Sequence, residues 1–269
     1  MTAKHMEKSC NVLPKEDSEG LGEYLPYVLV KHLQFCGYDL KINQYMNYKM
    51  GVSALIWECA FVLCEYFQQE QMNFSGKKVI ELGSGTGVVG ILAVLLGGQV
   101  TLTDESHALK QIEHNVSVNV PESCRHLATI RTLSWGFDHM NFSNDYDIIL
   151  GSDIVYYPSD YPELLQTLLH LSNPRTIIYI VTCIRGCHET RKFHEALIPQ
   201  YFNSHTVQGD WGVDIYIYKL TLKRPETGEE QPMVIKRPDS DVEFKSGHPR
   251  TEPLFGGLGR SLKGEKNPV

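Results

Sequence analysis

The chain has 269 residues, 42% of them hydrophobic and 21% charged, a balance typical of a globular protein with a sizeable core. Its formal net charge of −7 argues against non-specific binding of nucleic acids, because contacts to phosphates require an excess of Lys and Arg. No apolar run approaches the ~20 residues of a membrane span, and the seven cysteines contain no Cys-x-x-Cys pair, which favours reduced thiols and gives no metal site.

The N-terminal part of the chain changes in composition. Residues 1–23 are rich in Lys, Glu, Ser and Gly and are predicted to form a disordered tail. Residues 24–70 are predicted to form an extension of the domain, with a short hairpin over 34–42 and a helix over 52–67. Trp57 lies beside the apolar face of that helix, which favours a core aromatic at this position.

The stretch over residues 78–96 reads as a buried strand, a glycine loop and a helix. Gly83, Gly85 and Gly87 remove three β-carbons from the turn, so the backbone can lie directly against a ligand. Glu81 stands at the end of the strand, just before the first glycine. We therefore expect the centre of the functional site at this turn.

The ligand of the glycine loop follows from its spacing. Residues 85–90 fit the G-x-G-x-x-G fingerprint of dinucleotide sites, but that pattern alone is weak. A pyrophosphate is disfavoured beside the carboxylate of Glu81, whereas a ligand with amino, hydroxyl and sulfonium groups suits it. A glycine turn without any ligand remains an alternative.

An acidic residue follows the next predicted strand, over residues 99–103. Asp104 stands at its carboxyl end, where ligands bind in doubly wound sheets. A carboxylate there can accept hydrogen bonds from both ribose hydroxyls of an adenosine. The alternative is that Asp104 caps the helix predicted over 108–118.

Two further strand ends carry candidate site residues. Trp135 follows the strand over 128–133 and is placed to wall an adenine pocket. The strand over 146–150 runs into Asp153 and Tyr156, which favours chemistry at this strand end. A carboxylate that merely caps the following turn is the alternative interpretation of Asp153.

The remaining elements continue the alternation of helices and strands and end in a hairpin. Residues 223–269 are rich in Pro, Gly, Glu and Lys and are predicted to form a disordered tail. The pattern predicts an α/β fold with helices on both faces of a mostly parallel sheet. The elements predicted after residue 150 are helices over 161–172 and 189–200, a strand over 176–182 and a hairpin of 205–208 with 215–222.

Several of these motifs together resemble a known family. The E-L-G-S-G-T-G loop is similar to the first motif of the seven-strand methyltransferases, and D-I-V-Y resembles the D-x-x-Y motif of a family of protein lysine methyltransferases within them. The likeness runs from about residue 35 to 222 and is strongest to the methyltransferase-like-twenty-one branch. Its further marks are Trp57, Thr103-Asp104, Leu133-Ser134-Trp135-Gly136 and Gly151-Ser152.

This resemblance implies a fold, a cofactor and a site. The fold is a Rossmann-like seven-strand sheet with a terminal antiparallel hairpin, built from a methyltransferase domain over 24–222 with its cofactor-binding core over 78–222. The cofactor is S-adenosylmethionine. The residues implied to bind it are Trp57, Glu81, Gly83, Ser84, Gly85, Asp104, Trp135 and Ser152, with Glu81 acting mainly on the amides of the glycine loop.

The resemblance also implies the reaction and the partner. Asp153 orients the amine of a substrate lysine, and Tyr156 walls the lysine channel by cation–π contact. The substrate is a protein, with translation elongation factor one-alpha or an Hsp70-type chaperone favoured. A cytoplasmic monomer is expected, with nuclear presence left open and no direct contact with nucleic acid or membrane.

Three other functions remain open on the sequence. A small-molecule or protein-histidine methyltransferase would use the same cofactor. A catalytically silent module could use the fold to bind a chaperone or an elongation factor. The G-x-G-x-x-G fingerprint over 85–90, taken alone, would predict a nucleotide oxidoreductase.

Overall fold

The computed structural model describes residues 10–11, 27–47, 49–186, 188–210 and 214–224. Most of the two predicted disordered tails, 1–23 and 223–269, lies outside these ranges. Where the first tail is described, Cys10–Asn11 forms a short strand, β1, that pairs with residues 28 and 29, so the prediction of disorder is wrong at these two positions.

The main sheet has seven strands in the order β6-β5-β4-β7-β8-β10-β9. The first five are parallel, and β10 is antiparallel to both β8 and β9. This confirms the predicted Rossmann-like sheet with a terminal antiparallel hairpin. Its strands are β4 (Lys78–Leu82), β5 (Gln99–Asp104), β6 (Ala128–Thr132), β7 (Ile148–Ser152), β8 (Ile177–Cys183), β9 (Phe202–Asp210) and β10 (Ile215–Leu222).

Helices cover both faces of this sheet, as predicted, and each face has its own apolar cluster. The first cluster joins α1, α2 and α3 to the sheet, and the second joins α5 and the segment after α6. Among the described residues, no helix combines the length and apolar character that crossing a bilayer requires. The helices are α1 (Glu58–Gln69), α2 (Val88–Leu95), α3 (Leu109–Asn119), α4 (Glu122–Arg125), α5 (Tyr161–Leu171) and α6 (His188–Lys192).

The predicted N-terminal hairpin is present and longer than expected. Strands β2 (Tyr27–Phe35) and β3 (Tyr38–Met46) pair along their whole length. The following helix begins at Glu58 rather than at residue 52, because the Ile56 amide donates to Gln44 Oε1 (2.9 Å) and leaves Trp57 at the N-cap with an extended backbone.

The helix predicted over 189–200 is interrupted. After α6 the chain forms a π-helical turn, Phe193–Leu197, and a 3-10 turn, Ile198–Gln200. Pro199 accounts for the second change, since proline has no amide proton and disfavours α-helical geometry in the residue before it. The buried His194 contacts Thr182 Oγ1 at 3.0 Å, which ties the π-helical turn to β8.

Side chains of α3 attach the hairpin to the main domain. Alternate residues of β3 donate hydrogen bonds to side chains of α3: the Tyr45 amide donates to Gln111 Oε1 (2.8 Å), the Asn43 amide to Asn115 Oδ1 (2.9 Å) and the Lys41 amide to Asn119 Oδ1 (2.7 Å). Asn115 and Asn119 also donate their side-chain amides to the carbonyls of residues 43 and 41. We call these contacts the amide ladder.

Replacing Asn115 should destabilise the protein strongly. Asn115 is fully buried, and Asn115→Ala would leave the Asn43 amide and the carbonyls of Asn43 and Thr86 without its hydrogen bonds. We expect the free energy of unfolding in urea to fall by about 2–3 kcal/mol. Glu113→Ala on the exposed face of α3 is the matched control, and equal losses for both variants would contradict the role of the ladder.

Candidate active site

The predicted site lies where the order of the sheet reverses. Strand β4 pairs with β5 on one side and with β7 on the other, because the chain runs outward from β4 through β5 to β6 and then crosses back to β7. Crevices outside the carboxyl ends of strands at such a switch point are where open α/β sheets bind ligands. The glycine loop, Asp104 and Asp153 all follow these strand ends.

The glycine loop uses backbone conformations that favour glycine. Gly83, Gly85 and Gly87 have φ values of 63°, 54° and 80°, in the left-handed region. Between them, Ser84 fixes the loop to β5: its amide donates to the Thr103 carbonyl at 2.9 Å, and its Oγ accepts from the Thr103 amide at 3.1 Å. The loop is therefore held in shape by the protein itself.

Asp104 is held by backbone amides and still has acceptor capacity. Its Oδ2 accepts from the Gly85 amide at 2.7 Å and its Oδ1 from the Glu105 amide at 2.8 Å. Each carboxylate oxygen has a second lone pair, so both can also accept a hydroxyl. The alternative of a helix cap fails, because the N-cap of α3 is Ala108 and receives no side-chain cap.

This arrangement fits an adenosine-type cofactor. The side chain of Asp104 is almost buried, and burial raises the pKa of its carboxyl, an effect that the two amide hydrogen bonds oppose. A fixed pair of carboxylate acceptors beside a loop with three glycines suits two vicinal hydroxyls.

Glu81 points into the protein. It is 1% exposed, and its Oε2 accepts from the Gly90 amide of α2 at 3.1 Å. A Cβ at position 90 would lie 2.5 Å from the same oxygen and clash with it. The absence of a side chain at Gly90 therefore leaves room for the Glu81 carboxyl. This amide belongs to α2; the predicted action of Glu81 on the amides of the glycine loop, and its direct contact with a cofactor, stay predictions.

Both tryptophans lie at the edge of the site. Trp135 Cζ2 is 3.5 Å from the position that a Cβ on Gly83 would occupy, so the Trp135 side chain lies beside the glycine loop. Trp57 is only partly buried, and its Nε1 donates to the Val52 carbonyl at 2.8 Å. The structure therefore favours a pocket wall over a core position for Trp57.

Asp153 has an unusual backbone and a strong partner. Its φ of 58° is left-handed, a conformation that Asp tolerates better than most residues, and its amide donates to the Val181 carbonyl at 2.8 Å. Its side chain is 3% exposed. Arg185 donates to both carboxylate oxygens, from Nη1 at 2.9 Å and from Nη2 at 2.5 Å.

Arg185 is the site residue that the sequence analysis missed. It lies two residues beyond β8, the strand next to β7, and its guanidinium carbon is 5.2 Å from the Trp57 ring centroid. The hydrogen bond with Asp153 raises the pKa of Arg185 further above its ordinary range. The sequence does show a charged residue just after the strand that lies beside Asp153. This signal could be used only if the order of the strands in the sheet were already known.

Two thiols also stand near Asp153. Cys59 of α1 is fully buried, and burial raises the pKa of its thiol, an effect that the Asp153 charge and a hydrogen bond with this carboxylate increase. Burial also raises the pKa of the Cys183 thiol at the end of β8. Both thiols therefore stay protonated at neutral pH.

Tyr156 lies near the cofactor end of the site. Burial and the negative charge of Asp104 raise the pKa of its phenol, which stays protonated. Its ring centroid is 4.6 Å from that of Tyr157, a residue that is half exposed. Ser152 ends β7 directly before Asp153 and is partly buried.

The predicted residues thus gather at one edge of the sheet, with Glu81 behind the loop and Arg185 added. The residues that the structure describes contain no group of three His, Cys, Asp or Glu side chains able to hold a metal ion.

Comparison with known proteins gives consistent matches. The sequence model of a family described as lysine methyltransferase matches residues 35–198. The chain is similar to EEF1A lysine methyltransferase 3 of Xenopus tropicalis, with 46% identity over 217 residues that cover 77% of this chain and 96% of the relative. It is also similar to protein N-lysine methyltransferase METTL21A of the same organism, with 37% identity over 71% of this chain and 87% of the relative.

One solved structure supports the fold. The 16S rRNA N2 G1207 methyltransferase RsmC of T. thermophilus superposes with a TM-score of 0.53 and 13% identity, over 72% of this chain and 50% of its own. At this identity the likeness concerns the fold alone.

The buried Glu81 should give stability a distinctive pH dependence. Burial raises the pKa of its carboxyl from 4.5 to about 8. Between these values the folded protein keeps a proton that the unfolded chain releases, so this residue lowers stability as pH rises, by up to about 1.4 kcal/mol per pH unit.

Glu81→Gln removes this ionisation and keeps an acceptor for the Gly90 amide. We expect the variant to gain stability relative to wild type as pH rises from 5 to 8, measured by urea unfolding. The exposed control Glu113→Gln should run parallel to wild type, and a parallel curve for Glu81→Gln would contradict the prediction.

Proposed function

Because the chain belongs to the lysine methyltransferase family, we propose that it transfers methyl groups from S-adenosylmethionine to the ε-amine of a lysine in a non-histone protein. The contact between two loops carries this proposal. A Cβ on Gly83 would stand 2.9 Å from Ile154 Cγ2, so the glycine loop and the Asp153–Tyr156 segment touch. The cofactor cradle and the D-x-x-Y motif thus form one site.

We propose elongation factor EEF1A as the substrate protein. The support is the similarity to EEF1A lysine methyltransferase 3, which extends over nearly the whole length of that relative. A chaperone of the Hsp70 type is the second candidate, as the resemblance in sequence implied. A cytoplasmic monomer agrees with such a substrate and is part of the proposal.

The residues divide the work of binding and transfer. The glycine loop and Asp104 would hold the nucleoside, and Trp57, Trp135 and Ser152 would close its pocket. S-adenosylmethionine supplies a methyl group on a sulfonium; transfer to a neutral amine forms the N–C bond, leaves the electron pair of the broken S–C bond on sulfur and yields a methylammonium. Positioning can then supply most of the rate.

Asp153 and Tyr156 would act on the substrate. A carboxylate oxygen of Asp153 accepts a hydrogen bond from the amine and directs its lone pair, while the Tyr156 ring walls the channel. A free lysine has a pKa of about 10.4, so it must lose a proton before it reacts. The proton leaves to solvent before transfer.

Asp104→Asn should weaken cofactor binding specifically. It removes the negative charge that the ribose hydroxyls would meet, and hydrogen bonds to charged groups contribute about 1.5–3 kcal/mol. We expect the affinity for S-adenosylhomocysteine to fall about 10- to 100-fold in isothermal titration calorimetry. Glu105→Gln, at the exposed neighbouring residue, is the matched control, and an unchanged affinity for Asp104→Asn would refute the ribose role.

The proposed activity is tested with labelled cofactor. The protein is incubated with methyl-labelled S-adenosylmethionine and purified EEF1A or a cell lysate, and the labelled residue is identified by mass spectrometry. Labelled lysine in EEF1A is expected. Label in another protein changes the substrate; label in histidine or small molecules, or binding of cofactor without transfer, favours the alternative functions.

Asp153→Ala should abolish transfer and leave cofactor binding nearly intact. The variant removes the acceptor for the amine, whereas the exposed guanidinium of Arg185 can be hydrated. Transfer is measured with the labelled cofactor, and binding by calorimetry with S-adenosylhomocysteine. A loss of cofactor affinity alone would mean that Asp153 serves the other pocket.

A further inference from the structure

The pair formed by Asp153 and Arg185 bears on how the substrate lysine loses its proton. A lone carboxylate beside an ammonium raises the pKa of that ammonium by one to three units. Each unit lowers the neutral, reactive fraction of the amine about tenfold at neutral pH. Asp153 alone would therefore hold the lysine in place and keep it unreactive.

We propose that Arg185 is a positioning residue that acts through Asp153. Its guanidinium cancels the charge of this carboxylate, so that Asp153 orients the substrate lysine as a neutral amine without stabilising its ammonium form. This inference rests on the proposed lysine methylation. It explains how Asp153 can hold the substrate lysine without raising the pKa of its ammonium group.

The geometry of the pair suits this role. Arg185 uses two parallel N–H donors, one for each oxygen of Asp153, and the carboxylate keeps acceptor capacity for an amine beyond these two bonds and its hydrogen bond with Cys59. The carboxylate is 3% exposed, whereas the Arg185 side chain is 42% exposed. Burial of the carboxylate limits solvent screening on its side of the pair, while the exposed part of the guanidinium stays in water.

Trp57 holds the guanidinium in this place. Its ring lies 5.2 Å from the guanidinium carbon, within the range of a cation–π contact, and is itself fixed by the hydrogen bond from Nε1 to Val52. Arg185 is thus bound on two sides and presents its donors to Asp153 in a fixed direction.

The other groups around Asp153 leave its charge uncompensated. From α1 and β8 it is faced by the thiols of Cys59 and Cys183, which are neutral at physiological pH. Glu58 and Asp214, from α1 and the turn before β10, act on Cys183 and carry the same sign as Asp153. Arg185 therefore supplies the positive charge that the carboxylate meets.

The test is the pH profile of kcat for Arg185→Gln with EEF1A and S-adenosylmethionine. The acid limb should move to higher pH by about one unit or more, so that kcat at pH 7 falls about tenfold or more and approaches wild type near pH 10. Arg185→Lys keeps the charge, and its acid limb should stay within a few tenths of a unit. A purely structural role would lower kcat by one factor at every pH.

A double variant and a control complete the cycle. Asp153→Asn combined with Arg185→Gln removes both charges, so its residual activity should show an acid limb close to that of wild type. Arg191→Gln removes an exposed arginine that pairs with Glu195 and Asp214, and its profile should match wild type.

Stability without cofactor gives an independent readout. Arg185→Gln leaves a buried carboxylate unpaired, so its thermal midpoint should lie below that of wild type at pH 7.5. Asp153→Asn combined with Arg185→Gln removes that charge as well, so the double variant should recover part of the deficit. If Arg185→Gln does not fold, Arg185→Lys and the double variant carry the test.

The outcomes separate the two claims. Absence of lysine methylation by the wild-type protein overturns the proposed function and this inference with it. Methylation by wild type, together with an unmoved acid limb in Arg185→Gln or a moved limb in Arg185→Lys, overturns the role of Arg185 alone.

Discussion

Satisfaction of the buried backbone around the glycine loop is the constraint on which the rest of the structure depends. A loop with three glycines exposes many polar backbone groups, and each needs a partner once water is excluded. The amide of Gly85 binds Asp104, its carbonyl accepts from Gln111 Nε2 (3.1 Å), and the carbonyl of Thr86 accepts from Asn115 Nδ2 (2.9 Å). The loop is therefore rigid before any ligand arrives, and α3, which supplies two of these partners, also anchors the N-terminal hairpin.

The three buried carboxyls of the site differ in the groups that surround them, and these surroundings distinguish their roles. Asp104 is met by backbone amides, Asp153 by a guanidinium, and Glu81 by one amide within an apolar surrounding. Burial raises the pKa of the Glu81 carboxyl to about 8, because desolvation there outweighs the hydrogen bonds. Under the proposed function Asp104 binds the cofactor and Asp153 the substrate amine, whereas Glu81 binds the Gly90 amide of α2 in a form that can hold a proton at neutral pH.

Local patterns predicted much of the fold, and distant contacts account for what they missed. Strand β4 and the glycine turn after it are determined by residues that are close together in the sequence. Both were therefore predicted at the positions where the structure has them. The start of α1 depends on Gln44, which takes the Ile56 amide, and a pattern over 52–67 contains no trace of that contact. Arg185 likewise belongs to the site only because β8 lies next to β7.

The amide ladder between α3 and β3 is possible because four residues of a helix and two residues of a strand advance by nearly the same distance. Four residues of helix advance about 6.0 Å, whereas two residues of strand advance about 6.6 Å. A helix can therefore follow the edge of a strand for only a few steps before its side chains fall out of phase. The ladder has three rungs, two steps apart from end to end, and the longer side chain, Gln111, stands at one end, where an extra methylene can bridge the accumulated offset. The length of the amide ladder is thus limited by the difference in rise between a helix and a strand. A fourth rung would need a longer side chain still.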